Sequence, residues 1–255
     1  MARKMSVVNQ KGGVGKSTTA VNLSSCLSEM NKKLLLVDID PQGNATSGLG
    51  IEKSKLEYSI YDVLIDDVPV FDAIQGTDIS NLDILPANID LAGAEIELVS
   101  LMSRESRLKK VAHDFDDIYD YVFYDCPPSL GLLTLNALTA SDSIIVPIQC
   151  EYYALEGLGQ LMKTIKLVKK NLNPGLHIEG VVLTMYDART NLSQQVIEEV
   201  HSYFDDQVFE TIIPRNVRLS EAPSFGQPIN YYAPDSRGAE AYKNLAKEVS
   251  EYAEE

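Results

Sequence analysis

The sequence predicts an α/β fold: a doubly wound, mostly parallel sheet flanked by helices. Three observations carry that expectation. Short apolar runs alternate with stretches of helical periodicity along the whole chain. One run, at residues 5–9, leads through three glycines within four residues into a long helical pattern. Two other runs end in carboxylates, at Asp38 and Asp40 and at Asp125, where open α/β sheets gather their ligands.

Taken in order, residues 5–9 (Met5, Val7, Val8 apolar) form the first strand. Residues 16–30 follow as a helix, with Ala20, Leu23, Leu27 and Met30 near helical spacing. Residues 33–37 are a second strand, ending in a polar loop over 38–46 rich in turn formers. Short helices are expected at 59–65 and 70–75, and a brief strand at 82–85 stops at Pro86. Residues 90–117 read as helical, with Leu91, Ile96, Leu98, Leu101 and Leu108 on the apolar side. A buried strand at 121–124 ends in Asp125-Cys126-Pro127-Pro128-Ser129, followed by a helix at 130–140 and a strand at 143–148. Residues 154–171 put Leu155, Leu158, Leu161, Ile165 and Val168 on one helical face and Lys163, Lys166, Lys169 and Lys170 elsewhere. Strand 178–185, loop 186–191, helix 192–204, strand 208–213, loop 214–218 and a closing helix over 238–252 complete the chain. No repeat, low-complexity tract or linker interrupts it, so residues 1–255 are read as one domain.

Composition narrows the class. The chain is 45% hydrophobic and 23% charged, as in ordinary globular proteins. The net charge of −15 argues against a protein coated in nucleic acid. Residues 1–150 hold 12 basic and 21 acidic side chains, and the remainder 10 and 16, so neither half is basic. DNA contact therefore needs a local basic patch. Cys26, Cys126 and Cys150 are odd in number and lack Cys-x-x-Cys spacing, which fits a reduced cytoplasmic compartment without a zinc or iron–sulfur site. His113, His177 and His201 are scattered. The first residues run straight into a strand, so no signal peptide is expected. No apolar run reaches the ~18 residues of a membrane span.

The glycine-rich stretch carries the most specific chemistry. Strand, Gly-rich turn, Lys-Ser and helix form a nucleotide-phosphate cradle. Backbone N–H groups of Gly12, Gly13, Val14, Gly15, Ser17 and Thr18 can converge on one anion. Lys16 then reaches the β/γ-phosphates, and the Ser17 hydroxyl ligates Mg²⁺. The first glycine of the standard Gly-x-x-x-x-Gly-Lys-Ser/Thr pattern would stand where Gln10 is. Lys11 precedes Gly12 instead, which makes this the deviant form of the P-loop. Phosphoryl transfer also needs Mg²⁺ held and water placed. Asp125 resembles the Walker B aspartate that holds Mg²⁺, and Asp40 is placed to orient water. Asp38 is open between a site role and capping its loop.

Four motifs resemble the ParA/Soj chromosome-partitioning ATPases of the MinD/ParA superfamily. They are Lys-Gly-Gly-Val-Gly-Lys-Ser-Thr over 11–18, Val-Asp-Ile-Asp-Pro-Gln-Gly-Asn-Ala-Thr-Ser-Gly-Leu-Gly over 37–50, Tyr-Asp-Cys-Pro-Pro-Ser-Leu over 124–130, and Pro-Arg-Asn-Val-Arg-Leu-Ser-Glu-Ala-Pro-Ser over 214–224. They stand in the family's order and span nearly the full chain. The resemblance implies an ATPase using ATP and Mg²⁺ that forms a face-to-face homodimer on ATP. Lys11 would reach the nucleotide of the opposite subunit, Asp40 would serve hydrolysis, and the segment after Asp125 would sense the γ-phosphate. Pro214 and Asn216 would lie near the adenine. The ATP-bound dimer would bind DNA without sequence preference through Arg189 and Arg218, with the lysines of 163–170 weaker candidates. A ParB-like partner, through an N-terminal basic peptide, would stimulate a weak intrinsic turnover. The location implied is cytoplasmic and nucleoid-associated, on a chromosome or plasmid the sequence does not distinguish.

The MinD branch binds membranes through a C-terminal amphipathic helix, whereas the tail from Lys247 to Glu255 is acidic and no membrane partner is expected. A nitrogenase-reductase-like enzyme needs paired cluster cysteines. A tyrosine kinase of this superfamily needs a terminal tyrosine cluster, and here tyrosines pair only at Tyr152-Tyr153 and Tyr231-Tyr232. A ParA-like ATPase that positions a non-DNA cargo uses the same switch, and the motifs do not separate it from partitioning.

Overall fold

The computed structural model describes residues 1–151 and 157–251. Eight strands form one sheet: β1 (Arg3–Val7), β2 (Leu34–Asp38), β3 (Gln75–Gly76), β4 (Leu82–Leu85), β5 (Tyr121–Asp125), β6 (Ser143–Gln149), β7 (His177–Tyr186) and β8 (Val208–Pro214). Their order is β3-β4-β2-β5-β1-β6-β7-β8, and every pairing is parallel except β3 with β4. The expected doubly wound, mostly parallel sheet is therefore present.

Parallel strands are covered on both faces, so they are apolar throughout rather than alternating. In β2, Leu35 and Val37 face one core and Leu34 and Leu36 the other. In β5, Val122 and Tyr124 oppose Tyr121 and Phe123 in the same way. The helices are α1 (Lys16–Glu29), α2 (Asn44–Gly48), α3 (Ile60–Ile65), α4 (Val70–Ala73), α5 (Leu91–Glu97), α6 (Arg107–Ala112), α7 (Leu132–Ala140), α8 (Leu158–Asn171), α9 (Asn191–Phe204), α10 (Val217–Glu221), α11 (Ile229–Tyr232) and α12 (Arg237–Glu251). Leu23 and Leu27 of α1 and Tyr242, Leu245 and Val249 of α12 close one face. Residues of α3 and α5 to α9 close the other.

Strand order reverses on either side of β1, the position at which open sheets leave a crevice beyond their carboxyl ends. The register sets the level of the groups there. Asp125 pairs with Val7 on one side and with Asp38 on the other, so the Gly-rich turn and both aspartates leave the sheet together.

Several segments depart from expectation. Residues 90–117 are not one helix: α5 ends at Glu97, a single 3-10 turn follows over Leu98–Ser100, and α6 starts at Arg107. Ser100 and Ser106 hydroxyls bond the Glu97 and Ser103 carbonyls, and Ser103 takes φ 53. Serines that bond their own backbone compete with the helical ladder. The helix expected at 70–75 stops at Ala73 because Ile74 turns extended and Gln75–Gly76 pair with the edge of β4. The loop expected at 38–46 contains the start of α2, and the loop expected at 214–218 contains the start of α10, capped by the Asn216 side chain accepting the Arg218 N–H at 2.9 Å. β1 begins two residues earlier than the apolar run suggests, and α11 has no counterpart in the sequence-based expectation. Leu155 and the start of the helix expected from 154 lie outside the described residues, as do Tyr152, Tyr153 and Tyr252.

Candidate nucleotide-phosphate site at the carboxyl end of the sheet

The turn between β1 and α1 is shaped by Asn9. Its Nδ2 donates to the Pro147 carbonyl at 2.7 Å, and its Oδ1 accepts the Lys11 N–H at 3.0 Å. Gly13 and Gly15 take φ 75 and 89, left-handed backbone that a Cβ would strain. Gly15 is the N-cap of α1 and supplies no side-chain cap, and the first turn holds no acid. The free N–H groups there keep their positive end directed into a cavity of about 410 Å³ lined by Gly12, Gly13, Gly15, Lys16, Ser17 and Thr18. That is an anion site by construction.

Lys16 is buried, and its Nζ donates to the Lys11 carbonyl at 3.1 Å. Burial lowers its pKa, opposed by the charges of Asp125 and Asp40. The Lys11 carbonyl is thus the resting partner of the Lys16 ammonium, while the Lys11 ammonium has no polar partner among the described residues.

Both carboxylate oxygens of Asp125 are fully buried, and neither makes a hydrogen bond of good geometry among the described residues. Burial raises its pKa well above the carboxylate range; Asp38 adds to this, and the nearby Ser17 hydroxyl and Lys16 lower it. A buried, orphaned carboxylate is costly unless a cation joins it. Among the described residues no three His, Cys, Asp or Glu side chains are arranged as a metal cage. Asp125 and Ser17 therefore fit a Mg²⁺ that takes its other oxygens from phosphates and water.

Asp38 and Asp40 divide their tasks. Asp38 Oδ2 accepts both the N–H and the hydroxyl of Thr46, each at 2.8 Å, and Oδ1 accepts the Asp40 N–H at 3.2 Å. Its pKa is pushed up to about 6 by burial, with the Thr46 bonds working against that. Asp40 lines the cavity and accepts the Gln42 N–H at 2.9 Å through Oδ1.

A second cavity of about 430 Å³ is lined by Pro214, Asn216, Thr184 and Tyr242 and shares Gly15, Thr18, Met185 and Pro223 with the first. A polar cradle continuous with a mixed pocket is the shape a nucleotide needs. Thr184 ties the two by donating to the Val14 carbonyl at 2.9 Å, and Tyr242 meets the Thr19 hydroxyl at 3.2 Å. Sequence reasoning does not find Met185, Thr184 or Tyr242, because each lies far from the motifs in the chain. Only tertiary folding reveals that Met185, at φ 54, stands between the cavities.

Arg189 and Arg218 line neither cavity. Arg189 is exposed and held by Asp187 through two bonds, at 2.8 and 2.6 Å. Arg218 is exposed and bonds Glu221 at 2.8 Å. Lys163, Lys166, Lys169 and Lys170 lie on the solvent side of α8.

Residues 2–178 match the family described as an AAA domain. Over 250 residues the chain is 64% identical to the sporulation initiation inhibitor protein Soj of Bacillus subtilis (strain 168), covering 98% of this chain and 99% of that one. Over 249 residues it is 50% identical to the chromosome-partitioning ATPase Soj of Treponema pallidum (strain Nichols), covering 98% and 97%. The crystal structure of cobyrinic acid a,c-diamide synthase from Mycobacterium smegmatis, with bound ADP and magnesium, superposes with a TM-score of 0.88 at 40% identity, covering 100% of this chain and 96% of that one.

Proposed function

This chain belongs to the Soj/ParA family of chromosome-partitioning ATPases, and on that premise we propose that its cradle gates a homodimer which holds DNA only in the ATP state. It is a P-loop ATPase that uses ATP and Mg²⁺. The observation that supports the reading is the pairing of an uncapped α1 N-terminus with the orphaned Asp125 carboxylate, one suited to phosphates and the other to their cation.

The chain's own groups divide the work. Backbone N–H groups of Gly12, Gly13, Val14, Gly15, Ser17 and Thr18 bind the phosphates, and Lys16 leaves the Lys11 carbonyl to reach the β/γ oxygens. Ser17 and Asp125 hold Mg²⁺, which when bound neutralises charge developing on the phosphoryl oxygens. Asp40 orients the attacking water. The Lys11 ammonium reaches the nucleotide of the opposite subunit. Pro214 and Asn216 flank the base. Arg189 and Arg218 contact DNA phosphates without reading sequence, and dimer formation doubles that surface. A ParB-like partner stimulates turnover, and the protein rides the nucleoid in the cytoplasm as a single domain of 255 residues. Among the described residues no helix is long and apolar enough to cross a membrane.

The test compares Asp40→Ala with Lys16→Ala. Asp40→Ala should accumulate an ATP-loaded, DNA-bound dimer, and Lys16→Ala should stay a nucleotide-free monomer. Wild-type hydrolysis by Asp40→Ala would remove Asp40 from the chemistry.

A further inference from the structure

Asp40 stands at the head of a tight turn. Pro41 follows it, and the Gly43 N–H returns to the Asp40 carbonyl at 2.8 Å. Asp first, Pro second and Gly fourth are the residues such a four-residue turn favours. Within it, Asp40 Oδ1 accepts the Gln42 N–H at 2.9 Å. Oδ2 makes no hydrogen bond among the described residues and is the oxygen left to hold a water.

Among the described residues, two side chains bond this turn from outside it. Asp38 Oδ1 accepts the Asp40 N–H at 3.2 Å, at the start of the turn. At its far end, Lys53 Nζ donates to the Gln42 carbonyl at 2.7 Å. Gln42 is thereby gripped twice, its N–H by Asp40 and its carbonyl by Lys53. Gln42 and Asp40 both line the phosphate cavity.

Lys53 reaches the turn because the chain doubles back after α2. Gly50 takes φ 80, the Ile51 N–H bonds the Thr46 carbonyl at 3.2 Å, and residues 53–55 form one 3-10 turn. The lysine stem then lies across Gly43. A Cβ at Gly43 would stand 2.7 Å from Lys53 Cδ and 2.9 Å from the Ala87 carbonyl oxygen, so only glycine admits the crossing. The neighbouring acid is engaged elsewhere, Glu52 pairing with Lys55 at 2.8 Å. Lys53 has no ion-pair partner among the described residues, and its ammonium rests on a backbone carbonyl, as that of Lys16 does. Surface lysines ordinarily leave the ammonium in water. A charge-assisted bond to a carbonyl instead fixes where that carbonyl points.

We propose that Lys53 is a positioning residue for ATP hydrolysis, a role that rests on Asp40 being the group that orients the attacking water. Through the Gln42 carbonyl it sets the tilt of the Asp40 turn, and so the direction in which Oδ2 presents that water. Lys53 itself touches neither water nor phosphate. Without its ammonium the cradle of Gly12 to Thr18 is unchanged, while the Asp40 turn loses its outer tether. Misplacing a reacting group by about 1 Å costs as much as about a hundredfold in rate. The loss therefore falls on kcat and leaves nucleotide affinity alone.

The test uses the full chain. Lys53→Met keeps a stem over Gly43 and removes the donor, and Lys53→Arg restores a donor. Lys53→Met should bind ATP within about twofold of wild type by nucleotide titration and turn it over about tenfold more slowly or worse. Lys53→Arg should recover most of the rate. Amide hydrogen exchange over residues 40–48 of the nucleotide-free chain should quicken in Lys53→Met, a readout that needs no turnover. Asp40→Ala and the double variant of Lys53→Met with Asp40→Ala should share one residual rate, because the lysine then has nothing to position. Wild-type kcat in Lys53→Met beside an inactive Asp40→Ala overturns the role of Lys53 and leaves that of Asp40 standing. A further loss in the double variant gives Lys53 a task apart from Asp40 and overturns it too. So does a loss of ATP affinity that matches the loss of rate, which places Lys53 in substrate binding. Unchanged hydrogen exchange removes the tether. Wild-type hydrolysis by Asp40→Ala defeats the Asp40 reading itself, and the route from Lys53 with it.

Discussion

Thr46 places both its N–H and its hydroxyl on one oxygen of Asp38, and the same hydroxyl accepts the Ala87 N–H at 2.9 Å. One threonine thereby fastens the end of β2, the start of α2 and the exit of β4. Asp38 is an anchor, and its anchoring leaves Asp40 facing the cavity.

Thr46→Val keeps the shape and removes the hydroxyl, leaving the buried Ala87 N–H without its partner and Asp38 Oδ2 with the backbone N–H of residue 46 alone. We expect a loss of about 1–3 kcal/mol, or very roughly 2–4 °C of Tm per kcal/mol for a chain of this size. Thermal unfolding followed by circular dichroism reads this directly. An unchanged Tm would mean that Thr46 does not anchor the loop.

Gly15→Ala tests the cradle's backbone. An added Cβ would find ordinary space, its nearest neighbour being Thr184 Cγ2 at 3.8 Å, so crowding is not the issue. The cost comes from φ 89, about 1–2 kcal/mol for an L-residue. A shift of the turn should weaken ATP binding by about tenfold, which corresponds to ~1.4 kcal/mol. Gly12→Ala, at a position without positive φ and with nothing within 4 Å, should preserve the fold. Nucleotide titration of both variants separates backbone strain from crowding.

Arg189 and Arg218 each sit in a surface ion pair, with Asp187 and Glu221. Such pairs contribute about 0–1 kcal/mol, so DNA phosphates can displace the carboxylates. For the ATP-bound protein, Arg189→Ala and Arg218→Ala should each flatten the slope of log affinity against log salt. The expected change is about 1 for each phosphate no longer neutralised, hence about 2 in a dimer. A slope identical to wild type would take that arginine off the DNA surface.

The three thiols are buried. Burial pushes Cys26 up to about 12 and Cys150 up to about 11 from an ordinary 9.0, and raises Cys126 as well. Native protein at pH 8 should therefore react slowly with a thiol reagent, and all three cysteines should react once it is denatured. The linkage has a definite sign. A raised folded-state pKa gives stability that is complete below the unfolded value of 9.0 and is lost as pH climbs toward 11–12. Denaturant midpoints should fall across that window, and a flat profile would place a thiol in solvent.

Much of the fold is legible in the chain because its signals are local. Buried parallel strands read as runs such as Leu34 to Val37, and the cradle is a string of adjacent residues whose backbone does the binding. Elsewhere local signals mislead. The apolar spacing of Leu91, Ile96, Leu98 and Leu101 suggests one long helix, yet Ile96 faces solvent and the following serines break the ladder. Periodicity records which residues are apolar, and it does not record which side finds a partner.

The cradle, the carboxylates at the strand ends and the parallel sheet that carries them are readable from the chain alone, because each depends on residues close together in it. Tertiary packing alone ties Asp38 to Thr46 while Asp40 faces the cavity, buries Asp125 without a hydrogen-bond partner among the described residues, and brings Met185 and Asn216 to the cavity that Gly15 also lines. The reason is the register: Val7, Asp38 and Asp125 reach the same level only when three separate strands pair, and what each carboxylate then touches is set by neighbours distant in sequence.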